Sequence, residues 1–161
     1  MEDFKGKKLL ILGGGDKWDQ TTEVDLVRYA HEMGLYAIVT DSQADWNKVP
    51  AKFEADEAWD ISWSDTETLA RLCREKGIDC LLAVGGGSAI DSCKAIATGL
   101  KYDGDFWDMF AGKAKVPGAM PFGVVLTMAA AGSEGSNSCV ITNEDGMLKR
   151  STSSDFIRPR F

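Results

Sequence analysis

In residues Leu81–Lys94, LLAVGGGSAIDSCK, an apolar run ends in three glycines and a serine, and a helical pattern begins at once. Such an order constrains the fold strongly: a buried strand, a tight turn and a helix N-terminus must follow one another without a linker. The turn at Gly85, Gly86, Gly87 and Ser88 carries almost no side chain to block a ligand. Its backbone N–H groups and the positive end of the helix dipole favour an anion, most often a phosphate.

The rest of the chain repeats the same alternation. Lys8–Leu12 reads as a short buried strand ending in Gly13–Gly15, and Thr22–Met33 as a helix with Leu26, Val27, Ala30 and Met33 at helical spacing and Gly34 as its stop. Tyr36–Thr40 is a second strand closed by Asp41, Asp45–Phe53 a short helix broken by Pro50, and Glu57–Ser62 a third strand. Ser64 and Glu67 have the spacing of a capping box for a helix that carries Leu69, Leu72 and Cys73 and stops at Gly77. Cys80–Val84 is the fourth strand and Phe122–Thr127 the next buried one, with Phe106, Trp107 and Phe110 on a short helix between them. Cys139–Thr142 and Met147–Ser151 flank Asn143-Glu144-Asp145-Gly146 and read as a hairpin. Strands alternating with helices imply β-α-β units and a parallel sheet. The expected fold is one α/β domain over residues 1–161. It is a Rossmann-like, doubly wound, mainly parallel sheet with helices on both faces and a small terminal hairpin, and ligands of such sheets sit at the C-terminal strand ends.

Composition removes several functions. A chain of 161 residues, 44% hydrophobic, can bury a sizeable core in one domain. Its net charge of −7 and lack of a dense Lys/Arg cluster argue against nucleic acid or an anionic membrane as partner. No apolar run approaches a membrane span of about 20 residues, and MEDFKGKK is not a secretory signal, so a cytoplasmic location is expected. Cys73, Cys80, Cys93 and Cys139 form no CxxC pair and read as buried reduced thiols. With His31 as the sole histidine, a histidine-based metal centre is not expected from this chain alone.

Further residues join the candidate anion site. In a parallel sheet, the end of the Phe122–Thr127 strand shares an edge with Gly85–Ser88, so Thr127 and Ser133 are placed to donate hydroxyl hydrogen bonds to the same phosphate or ribose. Asp91 and Lys94 lie one turn apart on the helix after the glycines, either as part of the site or as an exposed ion pair. Asp41 is read either as a ribose ligand or as a solvated turn aspartate. The glycines at 13–15 lack GxGxxG spacing and mark either a ligand's approach or a ligand-free turn. No Ser-His-Asp arrangement is present, and Trp59 and Trp63 read as packing.

The combination GGGSxxDxxK, then a strand, then TxxxxGSE, over about Asp79–Phe161, resembles the iron-containing alcohol dehydrogenases of butanol-dehydrogenase-like type. The resemblance implies NAD or NADP as cofactor, with Gly85, Gly86, Gly87 and Ser88 at its pyrophosphate, Asp91 nearer the nicotinamide, and Thr127 as the strand-end threonine. Many relatives have threonine just before GSE, where this chain has Ala131. The first segment, residues 1–79, resembles instead the Rossmann-like domain that precedes ATP-grasp domains in carbamoyl-phosphate-synthase-like and biotin-carboxylase-like enzymes. A mosaic or chimera with its switch near Gly77–Cys80 is therefore one expectation.

In the dehydrogenase family an aspartate and histidines of a later helical domain hold iron or zinc, so the resemblance implies a nucleotide-binding domain without that metal domain. A small alcohol or aldehyde is then a partner only where a metal domain completes the site, and a homo-oligomer is compatible with the sequence. Two other functions stay open: a non-catalytic scaffold without a tight ligand, and a fragment of an ATP-grasp carboligase.

Overall fold

The computed structural model describes residues 4–13, 21–41, 52 and 54–161. The main sheet contains β1 (Lys8–Gly13), β2 (Tyr36–Thr40), β3 (Glu57–Trp59), β4 (Cys80–Gly85) and β5 (Phe122–Leu126), in the spatial order β3-β2-β1-β4-β5. Every pair in it is parallel, with Leu10 opposite Ile38 and Leu81 on either side. The helices are α1 (Thr21–Glu32), α2 (Thr66–Lys76), α3 (Gly87–Gly99) and the single turn α4 (Trp107–Phe110). β6 (Ser138–Asn143) and β7 (Leu148–Ser153) form a separate antiparallel hairpin, followed by a 3-10 turn at Asp155–Ile157.

Alternate residues of each central strand serve opposite faces, so both faces must be covered. On one face Leu9, Ile11, Ala37, Val39, Leu82 and Val84 pack against Val24, Val27 and Ala30 of α1. On the other, Leu10, Leu12, Ile38, Leu81, Ala83 and Phe122 meet Leu69 and Cys73 of α2 and Ile90, Cys93 and Ile96 of α3. Helices on both faces of a parallel sheet are thus observed as expected. A smaller cluster around Met109, Phe110, Cys139 and Ile157 seats α4 and the hairpin, with Trp107 stacked on Phe110 at a centroid distance of 5.7 Å. Trp59 and Trp63 pack on the core, as read from the sequence.

Several local expectations are corrected. Ser64 is not the N-cap of α2; Asp65 is, its carboxylate accepting the Thr68 N–H at 3.1 Å. The Ser64 hydroxyl is instead paired with Ser62 at 2.7 Å, which moves the cap one residue on. β3 stops at Trp59 rather than running to Ser62. The Thr40 hydroxyl donates to both the Trp59 and Ile61 carbonyls, which draws the chain out of the ladder. Met33 lies outside the buried stripe of α1 and Val24 inside it. Gly77 does end α2 in a left-handed conformation, φ 66°, as a glycine stop should. The helix expected over Asp45–Phe53 falls almost wholly outside the described residues.

The order of strands reverses between β1 and β4, the switch point at which a doubly wound sheet opens a crevice at its C-terminal edge. Gly13 ends β1 there, paired with Val84, and Gly85 ends β4.

Candidate functional site

The chain leaves β4 through Gly85, whose φ of 155° suits glycine, and Gly86 caps α3 with φ −87° and no side-chain hydrogen bond. No acidic residue occupies the first turn of α3, so its N–H groups and dipole meet no nearby negative charge on that turn. A Cβ on Gly86 would find no atom within 4 Å, and one on Gly87 would lie 3.8 Å from the Ser133 Cβ. Ser88 and Thr127 are exposed, and the Thr127 N–H donates to the Gly85 carbonyl at 3.2 Å. Gly85, Gly86, Gly87, Ser88 and Thr127 therefore gather at one edge of the sheet, with open space where a side chain on Gly86 would stand.

The β1 end is built differently. A Cβ on Gly13 would meet the Thr40 carbonyl oxygen at 3.6 Å, with the Asp41 carboxylate and Glu23 both at 3.9 Å. Asp41 is only 9% exposed, so it is not the solvated turn aspartate that was one of its two readings. Gly14 and Gly15 lie outside the described residues. Glu23, which the sequence did not single out, sits in the first turn of α1 and gives this end a second carboxylate.

Asp91 and Lys94 are not an exposed ion pair. Lys94 is fully buried, 0% exposed. Its Nζ lies 2.7 Å from the Ser133 carbonyl, 3.2 Å from the Ser136 carbonyl and 2.7 Å from the Ser138 carbonyl. The Ser133 and Ser136 hydroxyls are at 3.2 and 3.1 Å. The Asp91 carboxylate stands 3.7 Å away. It accepts the Ser133 hydroxyl through one oxygen and the Val140 N–H at 2.9 Å through the other. Burial pulls the Lys94 ammonium below the ordinary lysine value, and Asp91 works against that shift. Ser133 is buried with its proton given to Asp91, so its hydroxyl serves this network and does not reach outward.

α3 is buried from Ala89 to Gly99 apart from half-buried Asp91, so Lys94 has no solvent-facing side on which to emerge. In sequence it shares a helical stripe with Asp91 and Thr98, and nothing local to that stripe announces its burial.

Among the described residues the other reactive groups form no second centre. Cys73, Cys93 and Cys139 are buried and Cys80 half-buried, all as free thiols. Burial pushes Cys73 up to about 12 and Cys80 up to about 11. His31 lies at the α1 surface with its Nε2 2.9 Å from Asp56. Among the described residues no group of three or more His, Cys, Asp or Glu side chains converges on a point suited to a metal, and none of the described helices is long and apolar enough to cross a membrane.

Comparison with known proteins fits this geometry. The chain is 57% identical over 90 residues to a probable NADH-dependent butanol dehydrogenase 2 of Bacillus subtilis, covering 56% of this chain and 23% of that protein. It is 37% identical over 94 residues to the NADPH-dependent aldehyde reductase YqhD of Escherichia coli, covering 56% of this chain and 24% of that one. The crystal structure of NADH-dependent butanol dehydrogenase A from Thermotoga maritima matches with a TM-score of 0.76 at 29% identity, over 97% of this chain and 36% of that one. The chain thus spans about a quarter to a third of the length of these relatives. The expected change of family near Gly77–Cys80 finds no support, nor does the ATP-grasp resemblance of residues 1–79. The Thermotoga match covers both halves, and the family match begins at residue 24 and crosses that point without a break. The model of the iron-containing alcohol dehydrogenases matches residues 24–161, and the chain belongs to that family.

Proposed function

We propose that the Gly85–Ser88 cradle holds the pyrophosphate of a nicotinamide dinucleotide, as the cofactor-binding part of an iron-type alcohol dehydrogenase. The observation that carries this reading is the open space over Gly86 at the uncapped start of α3. Backbone N–H groups of Gly87 and Ser88 meet the phosphate oxygens, and the Ser88 and Thr127 hydroxyls add donors from the turn and from the end of β5. Asp91 and Ser133 act from behind, by fixing each other and the chain at Val140.

At the β1 end, Asp41 accepts the hydroxyls of a ribose, with Glu23 beside it. Two carboxylates repel a 2′-phosphate, which favours NAD over NADP. When bound, the cofactor accepts hydride from an alcohol carbon or returns it to an aldehyde. The residues of this chain bind and orient it. The described residues do not fit the metal of the family, and no step here passes through one; a small alcohol or aldehyde becomes a substrate where other residues supply that metal.

Titration of NADH and NADPH against the protein, followed by nicotinamide fluorescence, tests the reading. Saturable binding with NADH the tighter ligand is expected. No saturation at about 1 mM of either cofactor, an affinity near −4 kcal/mol, would leave the chain as a scaffold and overturn the reading.

A further inference from the structure

We propose that Lys94 is a positioning residue whose buried ammonium folds residues 133–138 into the second wall of the dinucleotide cradle; this rests on the cofactor reading above. Residues Ser133, Glu134, Gly135, Ser136 and Asn137 contain no apolar side chain, so the segment has no hydrophobic anchor of its own. What holds it from inside is Lys94, around which the chain wraps with three carbonyls and two hydroxyls within 3.2 Å. An ammonium has three protons to share and no lone pair, and its main neighbours here, backbone carbonyls, can only accept. The side chain thus does what a bound cation does in other loops: it turns several oxygens toward one point.

The geometry passes from there to the cradle in short steps. Lys94 holds Ser133 and Ser136. Ser133 is fixed to Asp91, and its Cβ lies 3.8 Å from the place a Cβ on Gly87 would take. Asp91 also takes the Val140 N–H, while Cys139 Sγ approaches the Asp91 carbonyl at 3.1 Å, so the start of β6 is tied to the same helix. From outside, Arg158 donates to the Gly135 carbonyl at 2.7 Å and Asn137 reaches Asp155 at 3.3 Å. Those contacts are exposed, whereas the Lys94 contacts are buried or half-buried, and a buried polar group left without its partner is costly. Loss of the ammonium frees the inner side of the segment and with it the wall beside Gly87.

The test uses Lys94→Met, which keeps an unbranched side chain one atom shorter and removes its charge, with Leu69→Ala as a core-destabilised control outside the segment. Amide hydrogen exchange and NADH titration are measured on the same proteins. In Lys94→Met, exchange at residues 133–138 is expected to rise about tenfold or more and the NADH dissociation constant about tenfold. Leu69→Ala is expected to move neither by more than about twofold, because residues 133–138 exchange through local opening, which a loss of global stability leaves unchanged, and global opening does not alter the closed state that binds NADH. Unchanged exchange in Lys94→Met, a loosened segment with unchanged NADH affinity, or an equal loss of affinity in Leu69→Ala overturns the proposal. Should Lys94→Met fail to fold, Ser136→Ala removes one of the five oxygens around the ammonium, together with that hydroxyl's bonds to Ser138, and is expected to shift both readouts about threefold in the same direction; no shift overturns the proposal. A wild type that binds no NADH sinks the cofactor reading instead, and the exchange data then decide the clamp alone.

Discussion

β1 and β4 end alike in sequence, each an apolar run closed by three glycines, yet the two ends are built for different chemistry. At Gly13 the Thr40 carbonyl and the Asp41 and Glu23 side chains stand at van der Waals distance, so the first glycine admits the backbone and not an anion. A Cβ on Gly86 would meet no atom beyond its chain neighbours within 4 Å, and the first turn of α3 bears no acidic residue. One end offers carboxylates, which suit hydroxyl groups; the other offers bare N–H groups, which suit phosphate. A glycine run therefore states only that the backbone comes close to something. What surrounds it decides whether that something is a neighbouring strand or a ligand.

The largest expected effect is at the open end. Gly86→Val places its methyl groups where the phosphate is to sit, and NADH affinity is expected to fall about 100-fold, near 3 kcal/mol. Because a Cβ there meets nothing, the thermal midpoint is expected to stay within about 2 °C of wild type, under 0.5 kcal/mol. A tight-binding Gly86→Val would break the distinction between the two ends. Asp41→Asn sharpens the other side of it. With one carboxylate gone, the ratio of NADPH to NADH affinity is expected to rise about tenfold, or 1.4 kcal/mol. Competition titrations at low and high salt check this, since an electrostatic penalty shrinks as salt rises.

Ala131→Thr adds a hydroxyl on the exposed loop that follows Thr127. It is expected to tighten NADH by about threefold, near 0.6 kcal/mol, in the same titration. The smallest effect belongs to Gly13→Ala, whose Cβ makes only ordinary contacts at 3.6 Å and beyond. NADH affinity is expected to change by less than about twofold, or 0.4 kcal/mol, as equilibrium titration will show.

Much of the fold was legible because the strands are short apolar runs between glycine stops. Leu9–Leu12 and Leu81–Val84 are buried on both faces, and their pattern says so directly. The strand ends that frame the site were legible for the same reason. Lys94 was not, because its surroundings come from Ser133 to Ser138, a segment whose return to α3 no local period encodes. The Ser133 hydroxyl reads in the sequence as a donor to a ligand, and only the fold reveals Asp91 as its acceptor. The shift of the α2 cap from Ser64 to Asp65 turned on a contact with Ser62, two residues back, that the box spacing does not register. The two-family reading failed for a related reason. A β-α-β unit has much the same apolar and glycine pattern in every doubly wound sheet, so residues 1–79 resembled more than one family.

Under the proposed function Gly86, Gly87 and Ser88 meet the cofactor, and the hairpin of β6 and β7 does not. Residue-resolved amide NMR during an NADH titration tests that most directly. The expected result is saturable shifts at Gly86, Gly87, Ser88 and Thr127, with smaller ones at Asp41 and none at Glu144–Gly146 in the hairpin turn. Saturable shifts that spare Gly86–Ser88, or no shifts while NADH is shown to bind, would contradict it.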